Sequence, residues 1–400
     1  MIRQTQTKEY SFSDVGLNLT PASKSLLPSA LKKILSTGYN TQTVTSVAIS
    51  GNVITLNYGV PHGYTKGRVL KLNTPSLNSE FVIESVESLS LTIIVDQPPV
   101  SIESSFTTHV APLGWVLCYE SANSYVQLYK LRNLDETDLY CRLTYSIANS
   151  TSFLSCIQPF FGLSADEQTG VITDTLSNGF GVGSATMNTS QPSWKLAKYA
   201  NSTYNSYTAT QNPTLFLNTV VVGSLYHFLG MITYYADNKG FFGFVPSHCL
   251  DYEKLKYPLS FAYTPAMSSE DSNWYLFNDY WNINGVKVVA RPYVDSGVAP
   301  THIYPTAANS YLPATIDNFE TSVAYPIEIF EATTLQFIGF VAGGMYRWSH
   351  TLSNLPASAE MPKLTSDIDF SNPLYIHNAT HNGFSTGFWC VIPVEEIKIG

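Results

Sequence analysis

Between residues 43 and 97 apolar and polar positions alternate with a period of two, the signature of half-buried strands. The runs TVTSVAIS (43–50) and VITLNYG (53–59) are separated by Gly51-Asn52, a hairpin signal. GRVLKLN (67–73), EFVIESV (80–86) and LSLTIIVDQ (89–97) follow. They are divided by the turn sequences Pro61-His62-Gly63-Tyr64, Asn73-Thr74-Pro75-Ser76 and Glu87-Ser88. Five short strands at this even spacing predict a small all-β barrel or sandwich over residues 41–110. Pro98-Pro99 ends the last strand, and the polar run Ser101–Thr108 is expected to be a hinge.

One stretch departs from that period. In SLLPSALKKILST (25–37) the apolar residues Leu27, Leu31, Ile34 and Leu35 recur at helical spacing. Pro28 suits a first turn, Lys32 and Lys33 suit the C-terminal half, and Gly38 is placed as a stop. This predicts one short amphipathic helix. Residues 1–24 read as extended and polar, so residues 1–40 are expected to form an arm and helix. That unit would dock to another protein, with Leu27, Leu31, Lys32, Lys33 and Ile34 as the docking residues.

After Ala111 the strands are longer and Tyr-rich, at Tyr125–Leu131, Tyr140–Ser146 and Leu154–Phe161, then Leu215–Val222 and Tyr226–Tyr235. Asp237-Asn238-Lys239-Gly240 predicts a turn into FFGFV (241–245). Later strands are expected at Val286–Pro292, Pro326–Phe330, Leu335–Val341 and within TGFWCVIPVEEIKI (386–399). The uncharged run from Thr219 to Tyr235 is just long enough to raise a membrane helix. Its glycines, Ser224 and His227 fit two buried strands joined near Gly223 better. The expected fold is therefore mainly β: a small N-terminal barrel or sandwich module (41–110), then a larger β-sandwich region (111–330). A C-terminal β region (331–400) is expected to pack on it, and there is one short N-terminal helix.

Composition sharpens that picture. Charged residues make up 13% of the chain, against about 25% in an average domain. Aromatic residues make up another 13%, which excludes a disordered chain. The net charge is −9. Residues 1–70 hold seven basic residues (Arg3, Lys8, Lys24, Lys32, Lys33, Lys66, Arg68) and two acidic ones (Glu9, Asp14), so +5, leaving −14 for the rest. An acidic body does not suit nucleic acid, and the basic end hints at a separate contact surface. The opening MIRQTQTKEYSFSD holds no apolar run of the kind a signal peptide needs. Five scattered cysteines form neither a disulfide framework nor a zinc site and are expected to be reduced and buried.

No motif for catalysis emerges. Asn178–Ser184 is glycine-rich but lacks the Lys-Ser/Thr ending of a phosphate loop. His377 and His381 have the spacing of a zinc helix, without the general-base Glu and within a loop-like context. Asp367 and Asp369 are an acidic pair that a glycosidase could use, or a solvated edge. No enzyme, cofactor or metal is expected. The aromatic residues Trp274, Tyr280 and Trp281, set among Asn and Asp, and Trp348 in Tyr346-Arg347-Trp348, are candidate platforms for a glycan or a protein partner. In a β-rich chain most Trp and Tyr are simply core, and ordinary packing is the commoner account of them.

The stretch from Leu26 to Arg132 resembles a family of tailed-bacteriophage virion structural proteins. The likeness lies in a Leu/Lys helix ending in Gly-Tyr-Asn, the run TVTSVAISGNVITLNYGVPHGYTKGRVLKLN, then NSEFVIESV and the APLGW junction (111–115) followed by SANSYVQLY. His62-Gly63-Tyr64 followed by Gly67 is its most recognisable piece, and weaker likeness continues at 225–247, 288–297 and 338–352. Arg68 departs from the pattern, since related modules often carry an acidic residue there. The resemblance implies a structural or adhesion role in a tail, baseplate, tail tip or neck, with no catalytic residues. The partners it implies are other virion proteins and further copies of the chain, with a host surface glycan as the adhesion target. The body needs neither nucleic acid nor a membrane span, and low charge with abundant Tyr suits surfaces covered by neighbours.

Overall fold

The computed structural model describes residues 7–19, 26–145, 154–177, 183, 193–198, 219–235, 238–263, 281–284, 286–291, 323–331, 333–334, 336–349, 361–366, 370, 372–379 and 388–397. Antiparallel strands dominate, as the periodicity predicts, with one short helix near the N-terminus.

The five predicted strands of the small module form at Ser46–Ser50, Val53–Asn57, Val69–Asn73, Glu80–Val86 and Ser90–Ile94. Their alternation places Ile54, Leu56, Leu70, Leu72, Ile83, Leu91 and Ile93 inside. Two further strands, Tyr39–Thr43 and Thr107–Val110, complete a seven-stranded sheet. The expected hinge is thus corrected in part: Thr107 and Thr108 are hydrogen-bonded between neighbours on both sides. The run 39–50 pairs with 107–110 through its first half and with 53–57 through its second. It therefore joins the two ends of the strand order and curls the sheet into a small barrel.

The helix Leu27–Lys32 starts with Pro28 in its first turn and continues as a wider turn, Lys33–Thr37. It stops at Gly38, whose φ of 73° is left-handed and costs a glycine little. A side chain there would meet the His109 ring and the Val110 carbonyl at 2.5 Å. Leu27, Leu31, Ile34 and Leu35 all belong to the main core.

The larger region is a two-layer sandwich with a curled second layer. A five-stranded sheet holds Val116–Glu120, Val126–Arg132, Asp138–Tyr145, Leu154–Gly162 and Trp194–Lys198. It faces a ten-stranded sheet that includes Val220–Gly223, Phe228–Tyr235, Asn238–Val245 and Leu259–Tyr263. The run from Thr219 to Tyr235 is therefore a hairpin turning at 224–227. Among the described residues no helix is long and apolar enough to cross a membrane. Aromatic rings fill the space between the layers. Phe161 meets Phe244 edge-on at 4.8 Å, Trp194 stacks on Phe228 at 5.8 Å, and Trp115 lies 5.6 Å from Phe244. Such contacts add about 0.5–1.5 kcal/mol per pair beyond burial.

The run 238–249 repeats the closing device of the small module. Its first part pairs within 228–235 and 259–263, and Ser247–Cys249, beyond Pro246, pairs with 339–341. A third sheet of five strands, Val323–Tyr325, Tyr346–Ser349, Phe388–Pro393, Leu374–Ala379 and Lys363–Thr365, packs beside it. His377 anchors this sheet through Nε2 to the Gly240 carbonyl at 2.9 Å. That residue lies on a buried strand, so the zinc-helix reading fails for it, and His381 lies outside the described residues. No group of three or more His, Cys, Asp or Glu among the described residues is placed to hold a metal.

Candidate functional site

The expected N-terminal arm is a strand of the body. Lys8–Ser11 pairs antiparallel with Val220–Gly223 at one end of the ten-stranded sheet. This brings Glu9 and Asp14 onto Arg68 of the small barrel, and all three are buried. The guanidinium donates Nε to Asp14 Oδ2 at 2.9 Å and Nη2 to Oδ1 at 3.1 Å, a bidentate pair, and Nη1 to Glu9. Tyr39 donates to Asp14 Oδ2 at 2.6 Å, and Tyr375 of the third sheet donates to Glu9 Oε2 at 2.6 Å. Burial alone would lower the Arg68 pKa; the two carboxylates more than offset it and raise it. Burial, and next the neighbouring carboxylate, pushes both phenols far above their ordinary range, so they stay donors. Each carboxylate is met by the guanidinium and by a phenol, which makes the cluster a clasp rather than a reactive centre.

The motif residues of the small barrel have similar duties. Tyr64 N–H donates to His62 Nδ1 at 3.0 Å, so Nε2 carries the proton and donates to the Glu87 carbonyl at 2.9 Å. The Tyr64 hydroxyl lies 2.8 Å from Thr108 Oγ1, tying the turn to a central strand. Gly63, at φ 69°, lets the chain reverse between these two rings. The APLGW junction is a crossroads: Leu113 N–H donates to Ile34 O at 2.8 Å, Trp115 N–H to Leu35 O at 2.9 Å, and Trp115 Nε1 to Ser224 O at 2.8 Å.

The residues expected to dock are used internally. Leu27, Leu31 and Ile34 are covered by the chain's own core. Lys32 is ion-paired with Glu120, and Lys33 donates to the Gly16 carbonyl at 2.6 Å. The docking expectation is thereby corrected, because the amphipathic face already has its partner. Part of the basic character of residues 1–70 is absorbed the same way, with Lys8 on Glu80 at 2.7 Å, while Arg68 is met by two carboxylates of that same stretch. Trp348 is 4% exposed and packs edge-on against Trp389, ring centres 5.5 Å apart, in a satellite core with Met361, Leu374, Ile376 and Val391. It is core and offers no open stacking face. Trp281 opens a strand whose backbone pairs with Phe261. Trp274, Tyr280, Asp367, Asp369 and most of the glycine-rich run 178–184 lie outside the described residues.

What the structure adds is a cleft of about 670 Å³. The turn 133–137, Tyr226, and the segments 246–248 and 256–258 form its walls. The walls are braced from behind: Tyr226 donates to Glu136, Tyr257 donates to Asp174 Oδ2 at 2.8 Å, and Ser247 donates to the Tyr257 carbonyl at 3.2 Å. Arg132 at the mouth donates to the Glu136 carbonyl at 2.9 Å and to Asp138 at 2.7 Å. His248 lies at the rim and stacks on Phe340, centres 5.7 Å apart and planes 16° apart. Phe340, Phe337, Leu250 and Tyr252 stand on neighbouring segments and are 41%, 46%, 52% and 56% exposed. Nothing in the local sequence marks this cleft, because its parts come from five separate segments.

No protein-family model matches the chain, and no curated protein or solved structure shows significant similarity to it.

Proposed function

We propose that the protein is a structural component of a bacteriophage virion, in the tail, its baseplate or the tail tip. In this reading it works as a homo-oligomer built against other virion proteins and contributes to host attachment. Support for the phage setting is the ordered run of motifs from Leu26 to Arg132. The observation that carries a contact role is the outward-facing group Leu250, Tyr252, Phe337 and Phe340. Clustered exposed apolar side chains mark surfaces that other proteins cover, and interface cores favour aromatics over charge. A neck or head-decoration position would use the same surface. Mass spectrometry of purified particles encoding a tagged copy tests the assignment, with the tagged chain expected at stoichiometric abundance. Its absence from particles would refute the virion role. Native mass spectrometry of Phe337→Asp/Phe340→Asp should show a shift toward monomer, and an unchanged oligomer would exclude this surface as the contact.

A second reading, a glycan- or receptor-binding module, is favoured by the cleft beside that surface.

A further inference from the structure

We propose that this cleft is a binding site for an acidic saccharide. Its volume of about 670 Å³ lies within the range of small-ligand sites, roughly 300–1,000 Å³. Its walls are held by the bonds from Tyr226, Tyr257 and Ser247 before any ligand arrives, so binding costs little ordering.

The chemistry of the walls selects the ligand class. Asn133 and Asp135 bring a carboxamide and a carboxylate to one side, acceptors for a cluster of hydroxyl groups. Leu163, 37% exposed, gives an apolar surface for the C–H face of a sugar ring. The His248 ring, backed by Phe340, adds an aromatic element at the rim. Arg132 is already neutralised by Asp138, at 2.7 Å. Lys256 is exposed and has no ion pair among the described residues, so it is the cation left to meet an anionic group. The polar rim does not suit a purely apolar ligand. A saccharide whose hydroxyl-rich rings carry a carboxylate satisfies all of these elements together. The inference stands on the cleft alone and holds wherever the protein sits in a particle.

The test is isothermal titration of the full chain with three acidic oligosaccharides of different linkage (oligogalacturonate, hyaluronan and alginate hexamers) and with neutral maltohexaose. At least one acidic probe should bind with Kd below about 1 mM, and maltohexaose about tenfold more weakly or not at all. Lys256→Ala should weaken the acidic probe about tenfold, Lys256→Arg should restore most of it, and Lys66→Ala should leave it unchanged. Absence of binding by all three acidic probes overturns the proposal. So does equal binding of maltohexaose, or Lys256→Ala binding like wild type with the same circular dichroism spectrum. Presence or absence of the chain in purified particles is read separately, so this site and the virion role fail independently.

Discussion

Tyr375 donates its hydroxyl to Glu9 at 2.6 Å across 366 positions of sequence, and Glu9 in turn holds Arg68. The first strand, the small barrel and the third sheet are thus clasped at one buried point. A buried charge cluster of this type stabilises little in net terms when complete, but is costly to break, because each removal strands another charge.

Arg68→Ala should therefore lower stability by about 3–5 kcal/mol, read as the shift in the urea midpoint. Arg68→Lys should also destabilise, since a single ammonium cannot reproduce the bidentate contact with Asp14. A midpoint within experimental error of wild type for Arg68→Ala would show that the clasp is dispensable.

Deleting residues 1–40 should leave no folded body. The deletion removes Glu9 and Asp14, exposes the edge strand Val220–Gly223, and empties the core positions of Leu27, Leu31, Ile34 and Leu35. Limited proteolysis and circular dichroism check this, and a protease-resistant 41–400 fragment would contradict it.

His227 should make stability fall in acid. It is wholly buried beside Ser224 Oγ, 2.8 Å from Nδ1, and burial pushes its pKa from 6.5 down to about 3. The unfolded chain takes up the proton near 6.5 while the folded one stays neutral, so folding is favoured fully above that value. The contribution is lost progressively as pH falls from about 6.5 toward about 3. Melting temperatures of wild type and His227→Gln across that window should converge at low pH. Parallel curves would remove His227 as the cause.

Trp348→Ala should behave as a core deletion. Removing a ring packed against Trp389 and Met361 costs about 3–5 kcal/mol, visible as a lowered denaturation midpoint. Saccharide titrations at a temperature where the variant is folded should match wild type, and a selective loss of binding would restore its candidacy as a platform.

The cysteines should differ in reactivity. Cys141 and Cys390 are fully buried, which pushes both thiols well above the ordinary range, whereas Cys118 and Cys249 are partly exposed. Iodoacetamide under native conditions should label Cys118 and Cys249 first, as read by peptide mass mapping. Equal labelling of Cys390 would indicate that the third sheet opens readily.

Much of the fold was legible because strand periodicity is a local property. Alternation located Glu80–Val86 to the residue and Val53–Asn57 and Ser90–Ile94 to within about three residues at each end, and Pro28 and Gly38 bracketed the helix. The family resemblance drew attention to Arg68 and to the His62-Gly63-Tyr64 turn, without showing what either touches. Partners were decided by tertiary structure, because an amphipathic face or a surplus of charge states only that something must cover it. For the helix that cover is the chain's own core, for Arg68 it is Glu9 and Asp14, and for Trp348 it is Trp389. Thr107 and Thr108 look like hinge residues locally, yet they become strand once Tyr39–Thr43 and Val69–Asn73 flank them. The cleft is the furthest from the sequence, since Asp135, Tyr226, His248 and Lys256 share a wall only after two sheets have curled and met. Local pattern therefore determined the helix and most of the strands, whereas long-range burial decided which faces were left free to bind.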